Sequence, residues 1–296
     1  MNILITGSKG QLGWELMRQG GDFNLLGLDL PELDITRKEN IAECTKDFLP
    51  DLVINSAAYT NVDKSESDVQ TAFAVNKDGA ANLADFCKKR KIPLIHISTD
   101  FVFDGKKTSP YVETDPVSPL GIYGKSKAEG EETVRNILKE HIIIRTAWLY
   151  GVHGHNFAKT MIRLGQERED LGVVADQQGC PTCAADLAEA LIRIAQRIGS
   201  KENIVWGTYH YCGKGITTWH GFTEKIMELA RPYFSIRTRK VNAITTAQYP
   251  TPARRPAYSA LNCSQIQKNF GVETKDWTES LKKTIAQIAE SGVSGT

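Results

Sequence analysis

The sequence predicts an α/β fold: a doubly wound parallel sheet, with a smaller, mostly C-terminal lobe. Three observations carry that expectation. In the first half, short apolar runs alternate with helical patterns, as right-handed βαβ crossovers require. The runs are β-branched and nearly all apolar, which suits a sheet covered on both faces. A glycine-rich turn joins the first run to the first helix, the junction at which Rossmann-type sheets hold a dinucleotide.

Taken in order, Asn2 to Thr6 is a buried strand, Gln11 to Gln19 the helix after it, and Asn24 to Leu28 a second strand ending at Asp29. Leu52 to Asn55, Leu94 to Ser98 and His141 to Thr146 continue the sheet. Thr71 to Lys89 and Ser126 to Leu138 are helical by composition and period. Beyond Tyr150 the pattern is less regular. Helices are expected at Asn156 to Glu167, Asp186 to Ile198 and Trp219 to Ala230, and a strand at Thr208 to Cys212. Arg231 to Tyr258, with Pro232, Pro250, Pro252 and Pro256, reads as loop. Ser264 to Phe270 and Trp277 to Ala289 are closing helices, and Ser291 to Thr296 is a small-residue tail expected to be disordered. The expected division is a nucleotide-binding unit at 1–150 and a mostly substrate-binding lobe at 151–296. Segments near 186–212 pack back onto the first unit.

The 296 residues are 41% hydrophobic and 24% charged, ordinary globular values. A net charge of +1 argues against a broad basic face for nucleic acid. Met1 leads straight into a strand with no basic or long apolar leader, so no secretory signal is expected. No apolar run approaches the ~20 residues of a membrane span. Six scattered cysteines fit reduced, cytoplasmic thiols.

The chemistry gathers where strands end. Gly7, Gly10 and Gly13 permit a tight turn and the close approach of a pyrophosphate to the helix N-terminus, with Gln11 and Leu12 between them. Asp29 lies 22 residues after Gly7, where an acid binds an adenosine ribose and favours NAD. Lys9 and Arg37 offer contacts to a 2′-phosphate instead, so NADPH or NADH stays open. Asp34 joins this coenzyme set. So do Ala57, Ala58 and Tyr59, after the strand ending at Asn55. Thr99 and Asp100 end another strand, and the Thr99 hydroxyl can hold a carbonyl oxygen. Tyr123 and Lys127 are four residues apart and share one helix face. A lone tyrosine ionises near pH ~10, and a neighbouring ammonium pulls that value down, which makes the pair a proton-transfer device for a hydride reaction.

A hydroxyl residue, a tyrosine and a lysine in this order resemble the extended branch of the short-chain dehydrogenase/reductase superfamily. Longer segments narrow the resemblance: Gly7 to Gly13, Asn55 to Asp63, Ile97 to Gly105, Pro119 to Lys127, Arg145 to Trp148, Asn156-Phe157, Asp176 to Thr182 and Arg254 to Ser259. Together these are similar to the dTDP-4-dehydrorhamnose reductase family over roughly residues 1 to 260. The resemblance implies hydride transfer from NADPH or NADH to C4 of a dTDP-linked 4-keto sugar. It implies that Tyr123 delivers the proton, Lys127 holds the nicotinamide ribose and tunes Tyr123, and Thr99 polarises the carbonyl. It places Asp100, Trp148, Asn156, Asp176, Gln177 and Arg255 against the substrate, with Arg255 on the diphosphate. A homodimer in the cytoplasm is the implied setting.

Phe101, Ala147 and Tyr258 depart from the family pattern. Ala185 interrupts an acidic set that includes Glu15 and Asp186, so no metal site is expected. Two rivals are a 4,6-dehydratase or 4-epimerase and a non-catalytic dinucleotide-binding regulatory subunit. Thr99-Asp100-Phe101 lacks the glutamate that a dehydratase would carry, and retention of Thr99, Tyr123 and Lys127 favours catalysis. Cys180-Pro-Thr-Cys183 lacks the context of a redox or zinc motif. His153 and His155 read as solvated loop residues, and Glu129, Glu131 and Glu132 as a solvated helix face.

Overall fold

The computed structural model describes residues 1–200 and 202–291. Its centre is a six-stranded parallel sheet: β1 (Asn2–Thr6), β2 (Asn24–Leu28), β3 (Leu52–Asn55), β4 (Leu94–Thr99), β5 (His141–Thr146) and β6 (Gly207–His210). The spatial order is β6-β5-β4-β3-β1-β2. After β2 the chain crosses back over β1 to lay down β3, so the winding reverses between β1 and β3. A crevice opens outside the carboxyl ends at such a point, and there these sheets take ligands.

Side-chain alternation divides the core. Ile3, Ile5, Leu52 and Ile54 pack on one face with Leu12 and Leu16 of the helix Gln11–Gln19 and Leu187, Leu191 and Ile194 of the helix Ala184–Gly199. Leu4, Val53 and Ile143 point the other way, onto Leu83 and Ala84 of the helix Ala80–Arg90 and Val134 of the helix Ile122–Ile137. A separate cluster joins Tyr150, Met161, Leu171, Phe222, Trp277 and Leu281 in the C-terminal half.

Several boundaries differ from those expected. β4 runs one residue further and includes Thr99, while the expected strand Thr208 to Cys212 is Gly207–His210. The helix expected from Ser126 starts at Ile122, because the Glu66 carboxylate accepts the Ile122 N–H at 2.8 Å and caps its first turn. The helix expected over Thr71 to Lys89 is three joined pieces: Val69–Phe73, a π-helical turn at Ala74–Gly79, and Ala80–Arg90. Lys38–Cys44 is a helix that the sequence reading missed. So is the ladder of Asp170–Val174 with Lys240–Ile244, five paired residues whose second strand falls in the stretch read as loop. The tail expected to be disordered lies, beyond Ser291, outside the described residues. Among those described, no helix is long and apolar enough to cross a membrane.

Candidate active site

The glycine turn is built for close approach. Gly7 has φ +70°, and a Cβ there would lie 2.6 Å from the Ala57 backbone nitrogen. A Cβ at Gly13 would lie 2.1 Å from the Gly7 carbonyl oxygen. The loops after β1 and β3 therefore touch backbone to backbone, which only glycine allows. Asn55 fixes the second loop: its side-chain oxygen accepts from Thr6 Oγ1 at 2.7 Å and from the Ala57 N–H at 3.1 Å. Tyr59 is held through its backbone, which exchanges hydrogen bonds with the Asn76 amide at 2.9 and 3.1 Å. Gln11 Oε1 is buried without a hydrogen-bond partner among the described residues. This cradle and orphaned acceptor fit a dinucleotide.

Asp29 accepts the Lys9 and Leu30 N–H groups at 2.9 and 2.8 Å, and Lys9 Nζ pairs with Glu32 at 2.9 Å. Asp34 is turned onto Thr36 N and Oγ1. Both acids brace the turn after β2. His153, read as solvated, instead stacks on Trp14 with centroids 5.2 Å apart, and its Nε2 meets the Lys9 carbonyl at 2.9 Å. The loop after Tyr150 thus lies over the glycine turn.

Thr99, Tyr123 and Lys127 meet at the carboxyl end of β4. Lys127 is 2% exposed and donates from Nζ to the Ile97 carbonyl at 2.6 Å. Burial pulls its ammonium down to about 8, against the opposing pull of Glu131. Tyr123 differs from expectation. Burial pushes its phenol up to about 12; the Thr99 hydroxyl opposes that shift, and the Asp100 carboxyl adds to it. The cation four residues away spends its hydrogen bond on β4 and does not lower the phenol. Tyr123 is therefore held protonated, the form an acid needs.

Glu131, read as solvated, is fully buried, while Glu132 beside it is exposed. Its carboxylate accepts from Arg145 Nε and Nη2 at 2.9 and 2.7 Å, from Ser98 Oγ at 2.6 Å and from Arg135 at 3.2 Å. Burial alone would raise its pKa; these partners overturn that and hold it low. The network ties the helix of Tyr123 and Lys127 to β4 and β5. The same helix approaches the π-helical turn through Gly130, where a Cβ would lie 2.1 Å from the Asn76 carbonyl oxygen. Asn76 also donates to Ser126 Oγ at 3.0 Å. Sequence reading missed Glu66, Asn76, Glu131 and the grip of Arg145. For Glu131 one signal was present, its place one turn beyond Lys127.

The remaining substrate candidates sit as follows. Trp148 has φ +49°, and its indole stacks on Trp219 at 3.6 Å and against Gly179. Asn156 spends its amide locally, donating to the Gly151 carbonyl at 2.8 Å and capping the Lys159 N–H at 3.1 Å. Asp176 and Gln177 both hold Thr246, at 2.7 and 3.0 Å. Arg255 makes a two-pronged pair with Asp63, at 3.1 and 2.9 Å, which holds the Asp63 carboxyl below its usual range. Glu15 is taken by Arg18 and Gln19, and Asp186 by Lys275 and Ser280. All six cysteines are free thiols.

A model of the RmlD substrate binding domain matches residues 1–290. A dTDP-4-dehydrorhamnose reductase of Aggregatibacter actinomycetemcomitans is 44% identical over 288 residues, covering 96% of this chain and 98% of that relative. The crystal structure of such a reductase from Clostridium acetobutylicum superposes with a TM-score of 0.90 at 40% identity, covering 97% of this chain and 99% of that one. One from Bacillus anthracis, in complex with NADP, gives 0.89 at 35% identity, with the same coverage.

Proposed function

This chain belongs to the RmlD substrate binding domain family, and from that premise we propose how its residues divide the work. It is an NAD(P)H-dependent oxidoreductase that reduces the C4 keto group of dTDP-4-dehydro-L-rhamnose to dTDP-L-rhamnose. The observation that carries the reading of the site is the convergence of Thr99, Tyr123 and Lys127 on one strand end beside the glycine cradle.

The bound nicotinamide supplies the hydride. Gly7, Gly10, Gln11, Leu12 and Gly13 would hold the pyrophosphate, Asp29 and Asp34, which brace the turn after β2, would flank the adenosine ribose, and Ala57, Ala58 and Tyr59 would line the floor. Lys127 holds the nicotinamide ribose. Thr99 donates to the substrate carbonyl oxygen, drawing charge onto it and fixing the angle of attack. Tyr123 gives its phenolic proton to that oxygen as the alkoxide forms, and its raised pKa keeps that proton in place beforehand. Asp100, Trp148, Asn156, Asp176 and Gln177 shape the substrate side. Arg255, whose fork suits a diphosphate, exchanges Asp63 for substrate oxygens.

The coenzyme unit comprises 1–150, and the substrate lobe most of 151–296. The packing of Leu187, Leu191 and Tyr209 with β1 residues supports segments near 186–212 belonging to the first. Free thiols support a cytoplasmic setting, and the small net charge supports a partner set without nucleic acid. The resemblance alone supports a homodimer. The test follows nicotinamide absorbance with NADPH and NADH in parallel, using dTDP-4-dehydro-L-rhamnose made in situ. Oxidation with dTDP-L-rhamnose as product is expected. Coenzyme binding without oxidation, in protein retaining all three residues, would sink the catalytic reading.

A further inference from the structure

Thr99 has one hydrogen, and the structure shows it already spent. Its Oγ1 donates to Asp100 Oδ1 at 3.0 Å and accepts the Phe101 N–H at 3.2 Å. A hydroxyl has one donor and two acceptor positions, so in this arrangement only an acceptor position remains, the one that the Tyr123 phenol faces. The role of Thr99 at the substrate needs the opposite, a hydrogen aimed at the carbonyl oxygen. The conflict is removed if the neighbouring carboxyl supplies a hydrogen instead of taking one. Then Asp100 donates to Thr99, the Phe101 N–H keeps the other lone pair, and the Thr99 hydrogen swings free.

We propose that Asp100 is a positioning residue that works in its neutral form, turning the Thr99 hydroxyl from the carboxyl toward the reacting carbonyl. The inference rests on the reading of Thr99 given above. Asp100 is 2% exposed, and its Oδ2 is buried with no hydrogen-bond partner among the described residues. An ionised carboxylate with an unsatisfied oxygen in such a place is costly; a neutral acid with a donor to place is not. The groups that face it are Tyr123 from the helix Ile122–Ile137, Cys180 from the segment before the helix Ala184–Gly199, and Ser259 from the closing loop. None is a cation, and Asp100 takes part in no ion pair among the described residues. Burial pushes its carboxyl up to about 6, against the hydroxyls of Ser259 and Thr99 and the backbone N–H groups of Asp100 and Phe101. The balance between the two arrangements therefore lies near neutral pH.

The test compares kcat/KM against pH for the parent, Asp100→Asn and Thr99→Val. The asparagine cannot ionise, and its amide N–H can point at Thr99 in the same way. In the parent, kcat/KM should fall about tenfold per pH unit above the carboxyl's pKa. Asp100→Asn should keep at least about a third of the parent's acid plateau, lose that break, and exceed the parent on the alkaline side. A parent without a break in the neutral range, or a variant that keeps it, overturns the proposal. So does an Asp100→Asn enzyme that binds coenzyme normally but is inactive at every pH, since the charge would then be required. If the variant does not bind coenzyme, the parent's break decides alone, read in single turnovers with the Thr99→Val profile as its control: the break must be absent there. A Thr99→Val enzyme of parental activity would instead sink the earlier reading of Thr99.

Discussion

Replacing Glu131 with Gln is the most demanding test of how the helix that carries Tyr123 and Lys127 is held. The carboxylate is fully buried, and Arg145 beneath it is 2% exposed. Gln keeps the volume but removes the charge that answers Arg145 and turns an N–H toward donors. Breaking a buried pair from one side costs about 3–5 kcal/mol, because the remaining charge stays desolvated. Against a total stability of about 5–15 kcal/mol, that is a large fraction. In urea, with a slope near ~3 kcal/mol per molar, the midpoint should fall by about 1–1.7 M. The same carboxylate gives a pH signature. Its pKa is lower in the fold than in the open chain, so its stabilisation is present above about 4.3 and is lost as pH falls through the folded value. Stability of the parent should therefore drop more steeply on acidification than that of Glu131→Gln. A midpoint within ~0.3 M of the parent would show that Arg145 finds another partner, and that the network does not anchor the helix.

Three further outcomes follow from the site. Tyr123→Phe should bind coenzyme as the parent does and lose at least ~10²-fold in turnover; near-normal turnover would remove Tyr123 from proton transfer. Gly13→Ala drives a side-chain methyl against the Gly7 backbone carbonyl, so coenzyme titration should show binding weakened at least ~10-fold, and unchanged binding would refute the cradle. Arg255→Lys gives up the two-pronged geometry, and should raise KM for the sugar nucleotide about tenfold with kcat within about threefold. A fall in kcat with KM constant would place Arg255 elsewhere in the cycle.

What the sequence disclosed, and what it hid, divides along physical lines. The sheet was legible because its strands are short apolar runs rich in Ile, Leu and Val, and Tyr123 with Lys127 because helix geometry turns a spacing of four into a shared face. Lys240–Ile244 was hidden among prolines in a half-exposed stretch with no apolar run. Contacts between distant residues left no periodic trace: Glu66 caps a helix 56 positions on, and Asn76 reaches Ser126 across 50. Glu131 was misread because its neighbours Glu129 and Glu132 suggest a wet face, while Arg145 and Ser98 lie on strands the helix only later meets. For Tyr123 the spacing revealed a nearby cation but not the burial that outweighs it.

The path of the chain through the sheet has a consequence for recombination. After β5 the chain builds Phe157–Glu167 and Asp170–Val174, returns to lay β6 against β5, then leaves again for Trp219–Ala230 and the closing helix. The two halves are interleaved, not strung end to end. A chimaera joined once near residue 150 would receive its sixth strand, and Leu187, Leu191 and Tyr209 of its inner core, from the donor of the second half. New specificities in such a chain are therefore more readily acquired by exchanging surface loops, such as 246–256, than by shuffling whole modules. The central sheet and the C-terminal half are inherited together.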